Sequence, residues 1–370
     1  MYKNNDKISL GQLVHILMLT IVGVGVLTLP SAITEELGVD GVFVLLIGGA
    51  LVLVIANLIG RIMKLFPGKS YTEILSACFT KPIAYIIIFL FLIYSLVINA
   101  FVVRVFGEVV KMYLLIRTPI EVIIFSMLLI TAYLARKGIE PLGRAAELLF
   151  PLIMVPAVIL FILAAADVDP TNFLPIFQAS PIDIIRGVPT ALFAFAAFEF
   201  MLIFGKFLSK TDQAPKALSI GMGIVIAVYV LIFAVALGVF GEPQLKHLIW
   251  PTLSLFKIIE FPGLFIENVE SLVMVIWVFI VFMSIAPVHL GKTVLIGELL
   301  NLKERDFFAL PLVPILYLTA LIPESVAETY RYMDIFSKYA IPFFALILPI
   351  LIFLVGSVRK GKGKESGGRA

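Results

Sequence analysis

The sequence predicts an all-α polytopic membrane protein with ten transmembrane helices. Three observations predict this fold class: composition, the length of the apolar blocks and the placement of the basic residues. Of the 370 residues, 61% are hydrophobic and 14% are charged, whereas a soluble domain has about half and a quarter. The hydrophobic residues form blocks of about 20, the length of a helix that crosses a bilayer and about twice that of a barrel strand.

Ten crossings place both termini on the same side of the membrane. Twenty of the 28 Lys and Arg residues fall on that side and seven on the other. Because cytoplasmic loops carry the excess of basic residues, the sequence predicts an N-in, C-in topology. It further predicts one transmembrane domain, 1–357, and a basic, disordered cytoplasmic tail, 358–370. The apolar windows are 12–34, 41–60, 83–103, 119–135, 147–166, 184–205, 217–240, 266–288, 307–322 and 339–356.

The first and sixth windows carry residues that interrupt a helix. Gly23 and Gly25 permit unwinding ahead of Pro30, which has no backbone N–H. Pro189 lies near the start of the sixth window, and Glu199 lies near its middle. Interrupted helices at corresponding positions in two halves mark the binding site of inverted-repeat transporters. The sequence therefore predicts a five-plus-five inverted repeat of the leucine-transporter type, with interrupted helices 1 and 6 and repeats at about 8–166 and 183–357.

The two interruptions allow a functional and a structural interpretation. An unwound first helix would free carbonyls and expose the N-terminus of its outer half, which suits a carboxylate. Close packing through Gly23 and Gly25 is the alternative. A charge at mid-membrane costs about 2.5–3.5 kcal/mol on the insertion scale. Glu199 is therefore expected to face a cavity, or to hydrogen-bond a neighbouring helix.

Three further charged residues are candidates for gating or for carrying a proton or ion. Arg104 and Glu108 are four residues apart on the third helix and can pair, either structurally or in a vestibule. Glu147 lies near the inner end of the fifth helix beside Arg144, and an interfacial ion pair is the alternative there. The sequence contains no motif for catalysis, no spacing for a metal site and no cofactor motif. The net charge of +3 gives no reason to expect nucleic acid as a partner.

Several short motifs together resemble a known family. Gly23-Val24-Gly25-Val26 and Phe195-Ala196-Ala197-Phe198-Glu199 resemble the amino acid–polyamine–organocation transporters. The rest of the chain resembles one branch, the spore-germination permeases, which are the B subunits of germinant receptors in endospore-forming bacteria. The motifs that carry this resemblance are Lys7-Ile8-Ser9 with Gln12, Leu29-Pro30-Ser31, Phe66-Pro67-Gly68-Lys69-Ser70, Arg136-Lys137-Gly138-Ile139-Glu140, Ala146-Glu147-Leu148-Leu149-Phe150-Pro151, Leu174-Pro175, Gly238-Val239-Phe240-Gly241 and Trp250-Pro251-Thr252-Leu253.

The resemblance implies a non-enzymatic role in the spore inner membrane, or in a bacterial cell membrane. It implies recognition of a small nutrient germinant, usually an amino acid, and two protein partners, a larger A subunit and a lipoprotein C subunit. The relatives usually have glycine where this chain has Ala197. The substrate-binding residues implied by the resemblance are Val22, Gly23, Val24, Gly25, Ala194, Phe195, Ala196, Phe198 and Glu199.

The alternative function is an autonomous secondary amino-acid transporter, either proton-coupled or an exchanger. The fold does not separate the two functions, because the same site on the same fold can serve either of them. A receptor needs binding coupled to a two-state change, and ion passage on triggering is compatible with that role. A transporter needs two gates that open in alternation.

Overall fold

The computed structural model describes residues 6–258, 269–302 and 306–367, and their regular structure is almost entirely helical. The α-helices, numbered in chain order, are α1 (Leu10–Ile21), α2 (Gly25–Leu37), α3 (Gly41–Leu65), α4 (Tyr71–Cys78), α5 (Lys81–Tyr113), α6 (Ile120–Arg136), α7 (Ile139–Ala164), α8 (Pro181–Phe195), α9 (Met201–Phe204), α10 (Ala214–Leu245), α11 (Pro251–Ile258), α12 (Val269–Leu299), α13 (Leu312–Ala320), α14 (Val326–Ile341) and α15 (Leu348–Gly367).

Six helical stretches among the described residues are long and apolar enough to cross a membrane. A seventh candidate is a pair, Pro181–Phe195 and Phe198–Phe207, bent by 55° at a short break. Large apolar side chains cover the outside of the bundle, as hydrocarbon surroundings require. The chain is therefore an integral membrane protein. The six stretches are Gly25–Leu65, Lys81–Tyr113, Ile139–Asp167, Ala214–Leu245, Val273–Leu299 and Val326–Arg359.

The first helical region is broken where its glycines predict unwinding. Ser9 caps α1 through a reciprocal pair of hydrogen bonds with Gln12. After 12 residues α1 stops at Ile21, and α2 starts only at Gly25. Residues 22–24 between them are outside any helix. Pro30 lies within α2 and not at the break, so the glycine-containing segment is the point of interruption.

The second break follows α8. Ala196 is extended, with φ −59° and ψ 164°. Ala197 is left-handed, with φ 77° and ψ −1°, and a 3₁₀ turn over Phe198–Phe200 follows it. A side chain other than glycine in this region costs about 1–2 kcal/mol. The break therefore forms at Ala197 although this residue is not glycine.

One end of the bundle holds the start of the described chain and is called the terminal end below. Ile8 donates its N–H to Phe207 O at 3.0 Å, which ties the segment before α1 to the segment after α9. Lys206 forms an ion pair with Glu298 at the end of α12. The Glu298 carboxylate also accepts a hydrogen bond from Thr72 Oγ1 of α4, at 2.8 Å. Four separate parts of the chain are thereby joined at this end.

The last helix also reaches the terminal end. Arg359 donates to Ala77 O of α4 at 3.0 Å. The backbone of α15 is helical to Gly367 and includes residues 358–367 of the expected cytoplasmic tail. The disorder of this tail stays a prediction. Residues 368–370 of the expected tail lie outside the described part.

The backbone at the second break generates a prediction for two adjacent alanines. We expect Ala197→Gly to raise the free energy of unfolding by about 0.5–1 kcal/mol, because relief of left-handed strain exceeds the added entropy of the unfolded chain. Ala196→Gly relieves no strain and should lower it by about 0.4–1 kcal/mol. Thermal unfolding of the purified protein in detergent measures both. Equal losses in the two variants would contradict the left-handed assignment of Ala197.

Candidate functional site

A small cavity lies between the two broken helices, where α1 gives way to α2 and where α8 ends. Its volume is about 30 Å³, which is room for about one water molecule. Helices α5 and α12 complete its walls. The described residues that line it are Thr20, Ile21, Val24, Gly25, Ile98, Asn99, Val102, Phe193, Ala196, Ala197, Ser284 and Val288.

The backbone carbonyls at the first break are bonded by side chains from other helices. Because hydrocarbon offers no hydrogen-bonding water, such partners are required wherever a helix opens inside the membrane. The expectation that unwinding leaves these carbonyls free for a ligand does not describe this conformation. The four bonds are Ser284 Oγ to Leu19 O at 2.9 Å, Tyr229 Oη to Ile21 O at 3.0 Å, Trp277 Nε1 to Gly23 O at 3.3 Å and Thr252 Oγ1 to Val26 O at 2.7 Å.

Tyr229 of α10 also bonds the second break. Its hydroxyl lies 2.8 Å from Ala194 O as well as 3.0 Å from Ile21 O. A hydroxyl has one hydrogen, so the two carbonyls share a single donor. The Phe195 ring packs against the Tyr229 ring at 5.1 Å between centroids. One side chain thus holds the two broken helices together.

Both glycines of the first break are needed for close packing. A Cβ built on Gly25 would lie 2.7 Å from Ala194 Cα, which is backbone that cannot move aside. A Cβ on Gly23 would collide with the side chain of Ser284. The packing interpretation and the unwinding interpretation of these glycines are therefore compatible. Both glycines let the broken segments approach closely, and Gly23 lies in the non-helical stretch between α1 and α2.

The residues proposed at the first break lie on different sides of it. Val24 and Gly25 line the cavity, and Gly23 presents its carbonyl to Trp277. Val22 faces away, into a separate apolar cavity between α7, α10 and α12. These four adjacent residues thus have three different surroundings.

The residues proposed at the second break are similarly divided. Ala196 and Ala197 line the cavity between the breaks. Ala194 lines a larger vestibule, while Phe195 and Phe198 are buried among packed side chains. Of the five neighbouring positions, the two alanines at the turn itself are the ones that face the space between the broken helices.

Glu199 does not line the cavity between the breaks. It is 3% exposed and accepts a hydrogen bond of 2.7 Å from Tyr94 Oη of α5. The Tyr94 ring lies between Phe336 and Phe344, with centroids at 5.4 and 4.6 Å. Glu199 Oε2 has no hydrogen-bond partner among the described residues. The carboxylate therefore binds a neighbouring helix inside an aromatic cluster, which was the structural alternative.

Asn99 of α5 lines the cavity with a hydrogen-bond donor, Nδ2, that has no acceptor among the described residues. It is 2% exposed, and its Nδ2 has no hydrogen-bond partner in the described part of the chain. A buried amide without a partner costs about 1–3 kcal/mol. The signal in the sequence was a lone amide in a long apolar helix, which more often bonds a neighbouring helix than a ligand.

A large vestibule opens at the end of the bundle opposite the terminal end. Its volume is about 760 Å³. Gly25 and Phe193 line both the vestibule and the small cavity, so the two spaces adjoin there. Three carboxylates, Glu35, Glu36 and Asp334, lie along its wall. A solute in the vestibule can thus reach Gly25 and Phe193, which border the small cavity.

The three candidate gating residues lie away from the small cavity. Arg104 and Glu108 form an ion pair of 2.7 Å on α5, and the Arg104 side chain is almost wholly buried. Glu147 accepts a hydrogen bond of 3.1 Å from Gln12 Nε2, near the start of α1. Arg144 pairs with Glu140, since α7 begins at Ile139 and Glu140 occupies its first turn. Arg144 therefore pairs with Glu140, while Glu147 bonds Gln12. Among the described residues, no group of three His, Cys, Asp or Glu side chains could hold a metal ion.

Comparison with protein families gives a match over most of the chain. Residues 7–329 match the model of a family described as "Spore germination protein". Spore germination protein YndE of Bacillus subtilis (strain 168) is 28% identical over 361 residues, which are 97% of this chain and 99% of that protein. Spore germination protein GerLB of Bacillus cereus is 25% identical over 347 residues, 93% of this chain and 92% of that protein.

Two solved structures have a similar fold. A Na⁺-coupled sialic acid symporter, in a substrate-bound outward-open state, has a TM-score of 0.70 at 14% identity and covers 95% of this chain and 80% of that chain. MhsT, crystallised with L-phenylalanine, has a TM-score of 0.53 at 16% identity, covering 93% and 97%. At these identities the likeness shows the fold, which is that of secondary transporters.

The shared donor at the two breaks generates a prediction. Tyr229→Phe keeps the ring packing and removes the hydroxyl that bonds Ile21 O and Ala194 O. We expect the free energy of unfolding to fall by about 1–3 kcal/mol, because buried carbonyls lose their donor. Tyr85→Phe is the matched control, since Tyr85 is exposed, and it should change stability by less than about 0.5 kcal/mol. Identical melting curves for the two variants would exclude this role for Tyr229.

Proposed function

The chain belongs to the spore germination protein family, and we propose that it is the integral-membrane B subunit of a germinant receptor in the spore inner membrane. In this role it binds a small nutrient germinant, an amino acid or similar molecule, between the broken helices and helps to trigger germination. The observation that carries the proposal is the unpaired Asn99 amide, buried at a cavity that adjoins an open vestibule.

The donors at the cavity fit the carboxylate of an amino acid. α2 begins at Gly25, and its first N–H groups have no side-chain cap. A helix N-terminus carries partial positive charge and favours an anion. Asn99 Nδ2 adds a second kind of donor to the same cavity. Val24, Gly25, Ala196, Ala197 and Asn99 are the proposed ligand contacts.

Ligand binding requires the cavity to enlarge. The present 30 Å³ does not hold an amino acid, and Phe193 separates it from the vestibule. Movement of Phe193 and repacking of the two breaks would admit the ligand, and this rearrangement is the two-state change that a receptor needs. Glu199 takes part as a positioning residue, since its bond to Tyr94 fixes the segment after Ala197 to α5.

The proposed topology has ten crossings, an N-in, C-in orientation and two inverted repeats. The stretch Gly25–Leu65 has 41 residues, about twice the length of one crossing, and Gly38 with φ 57° separates α2 from α3. α1 with α2, and α8 with the segment after it, are the broken helices that begin the two repeats. The terminal end is then cytoplasmic, and the vestibule receives germinant from outside. A larger A subunit and a lipoprotein C subunit are the proposed partners.

The second candidate is an autonomous secondary transporter. The likeness to a sialic acid symporter favours it, since that fold supports alternating access. At the terminal end, the Lys206–Glu298 ion pair and the bond between Ile8 and Phe207 join separate parts of the chain. A transporter would have to break these contacts in every cycle, whereas a receptor need only repack the site.

Asn99 provides the test of ligand binding. We expect Asn99→Leu to weaken binding about 10- to 150-fold, because a hydrogen bond to a charged group is worth about 1.5–3 kcal/mol. Its stability without ligand should be retained, since the amide has no partner to lose. The measurement is ligand-induced thermal stabilisation of the purified protein against a panel of L-amino acids.

Asn57→Leu is the matched control for Asn99→Leu. Asn57 donates to Ser219 Oγ at 2.9 Å and accepts from Arg61 at 2.8 Å. Its replacement should lower stability and leave ligand affinity unchanged, which is the reverse pattern. Unaltered affinity in Asn99→Leu would remove Asn99 from the site.

Transport by this chain alone separates the two candidate functions. We expect proteoliposomes of the purified chain to bind a stabilising amino acid without sustained uptake or counterflow, because the proposed change is confined to the site. Radiolabelled amino acid retained inside the vesicles is the measurement, with liposomes lacking protein as the control. Sustained uptake would replace the receptor proposal with the transporter.

A further inference from the structure

An apolar crevice lies behind the first break, on the side away from the small cavity. Val22, Val26 and Leu27 form its floor, and α7, α10, α11 and α12 supply its walls. Its volume is about 90 Å³, three times that of the cavity between the breaks. We propose that this crevice binds the end of one acyl chain of a membrane lipid, and that this end packs against the back of the broken helix.

The chemistry of the crevice excludes a polar occupant. No charged side chain is among its described lining residues. Its two groups with hydrogen-bond donors are already paired, Thr252 Oγ1 with Val26 O and Trp277 Nε1 with Gly23 O. On these side chains a water molecule would find only the oxygen lone pairs of the Thr252 hydroxyl, and a buried water needs two to four polar partners. Hydrocarbon has no such need.

The crevice opens where the surrounding hydrocarbon is membrane lipid. Val158 of α7 and Leu231 of α10 line it and are 52% and 47% exposed. Both lie near the middle of stretches that cross the membrane, Ile139–Asp167 and Ala214–Leu245. The opening between them therefore faces the acyl chains of the bilayer and not its surface. A void left empty there would forfeit packing contacts along its whole lining.

The acyl chain would act on the binding site through the break. Val22 and Val24 lie on opposite sides of the same unwound segment, one in the crevice and one in the small cavity. Trp277 lines the crevice and bonds the carbonyl of Gly23 between them. Any repacking of the break alters both spaces, so occupancy of the crevice and opening of the cavity are linked and the linkage is reciprocal.

Trp277 provides a direct reporter of acyl chain entry. The sequence has two tryptophans, so Trp250→Phe leaves Trp277 as the only one. The protein is reconstituted in vesicles of phosphatidylcholine with bromine at the middle of its acyl chains, which quenches indole fluorescence at short range. Matched vesicles without bromine give the reference. We expect Trp277, although 3% exposed, to be strongly quenched.

Filling the crevice tests whether the quenching comes from inside it. Ala157→Phe, on the α7 wall, should abolish most of the quenching of Trp277. Ile159→Phe is the control, because Ile159 lies on the same helix, is 52% exposed and does not line the crevice. The quenching of Trp277 in Ile159→Phe should equal that in the protein with Trp250→Phe alone. Val228→Phe fills the crevice from α10. It replaces Ala157→Phe in this test if that variant does not fold.

Two outcomes would overturn the proposal. Absence of quenching in the parent would show that no acyl chain reaches Trp277. Equal quenching in the filled and control variants would place the bromines outside the crevice, in the lipid around the bundle. Neither readout depends on a germinant, so the acyl-chain site and the proposed receptor function can fail independently.

Discussion

The hydroxyl of Tyr229 lies between Ile21 O and Ala194 O. The rest of the site depends on such bonds, in which a side chain donates to a backbone carbonyl at a helix break. A helix that opens inside a membrane must find partners for its polar groups from the protein itself. Here four side chains from three other helices supply them at the first break. The same requirement explains why the two breaks lie together, since Tyr229 bonds both.

With these four carbonyls bonded by side chains, two kinds of hydrogen-bond donor are left at the small cavity. The N-terminus of α2 and the amide of Asn99 both face the small cavity, and together they favour a carboxylate. The vestibule reaches this place from one end of the bundle. At the other end, contacts join distant parts of the chain, among them the Lys206–Glu298 pair.

For Glu199, the sequence indicates that the carboxylate needs a cavity or a partner, but it does not indicate which one. A carboxylate at mid-membrane must face a cavity or a partner, and the partner is Tyr94, within a cluster of aromatic rings. The left-handed turn at Ala197 separates the residues that line the cavity from Glu199. The direction of the side chain follows from that turn, which neither hydropathy nor residue spacing describes.

The sequence by itself determined the all-helical membrane class, the family and the two places where helices break, because hydrocarbon imposes long apolar segments and glycines permit unwinding. Val24, Gly25 and Ala196 could be predicted at the small cavity for that reason. Tertiary structure alone decided that Val22 lies behind the break, that Glu199 bonds Tyr94 and that Asn99 is left unpaired. These outcomes depend on which helices pack against the breaks, and residues far apart in the chain, such as Ile21 and Tyr229, meet only when the bundle is assembled.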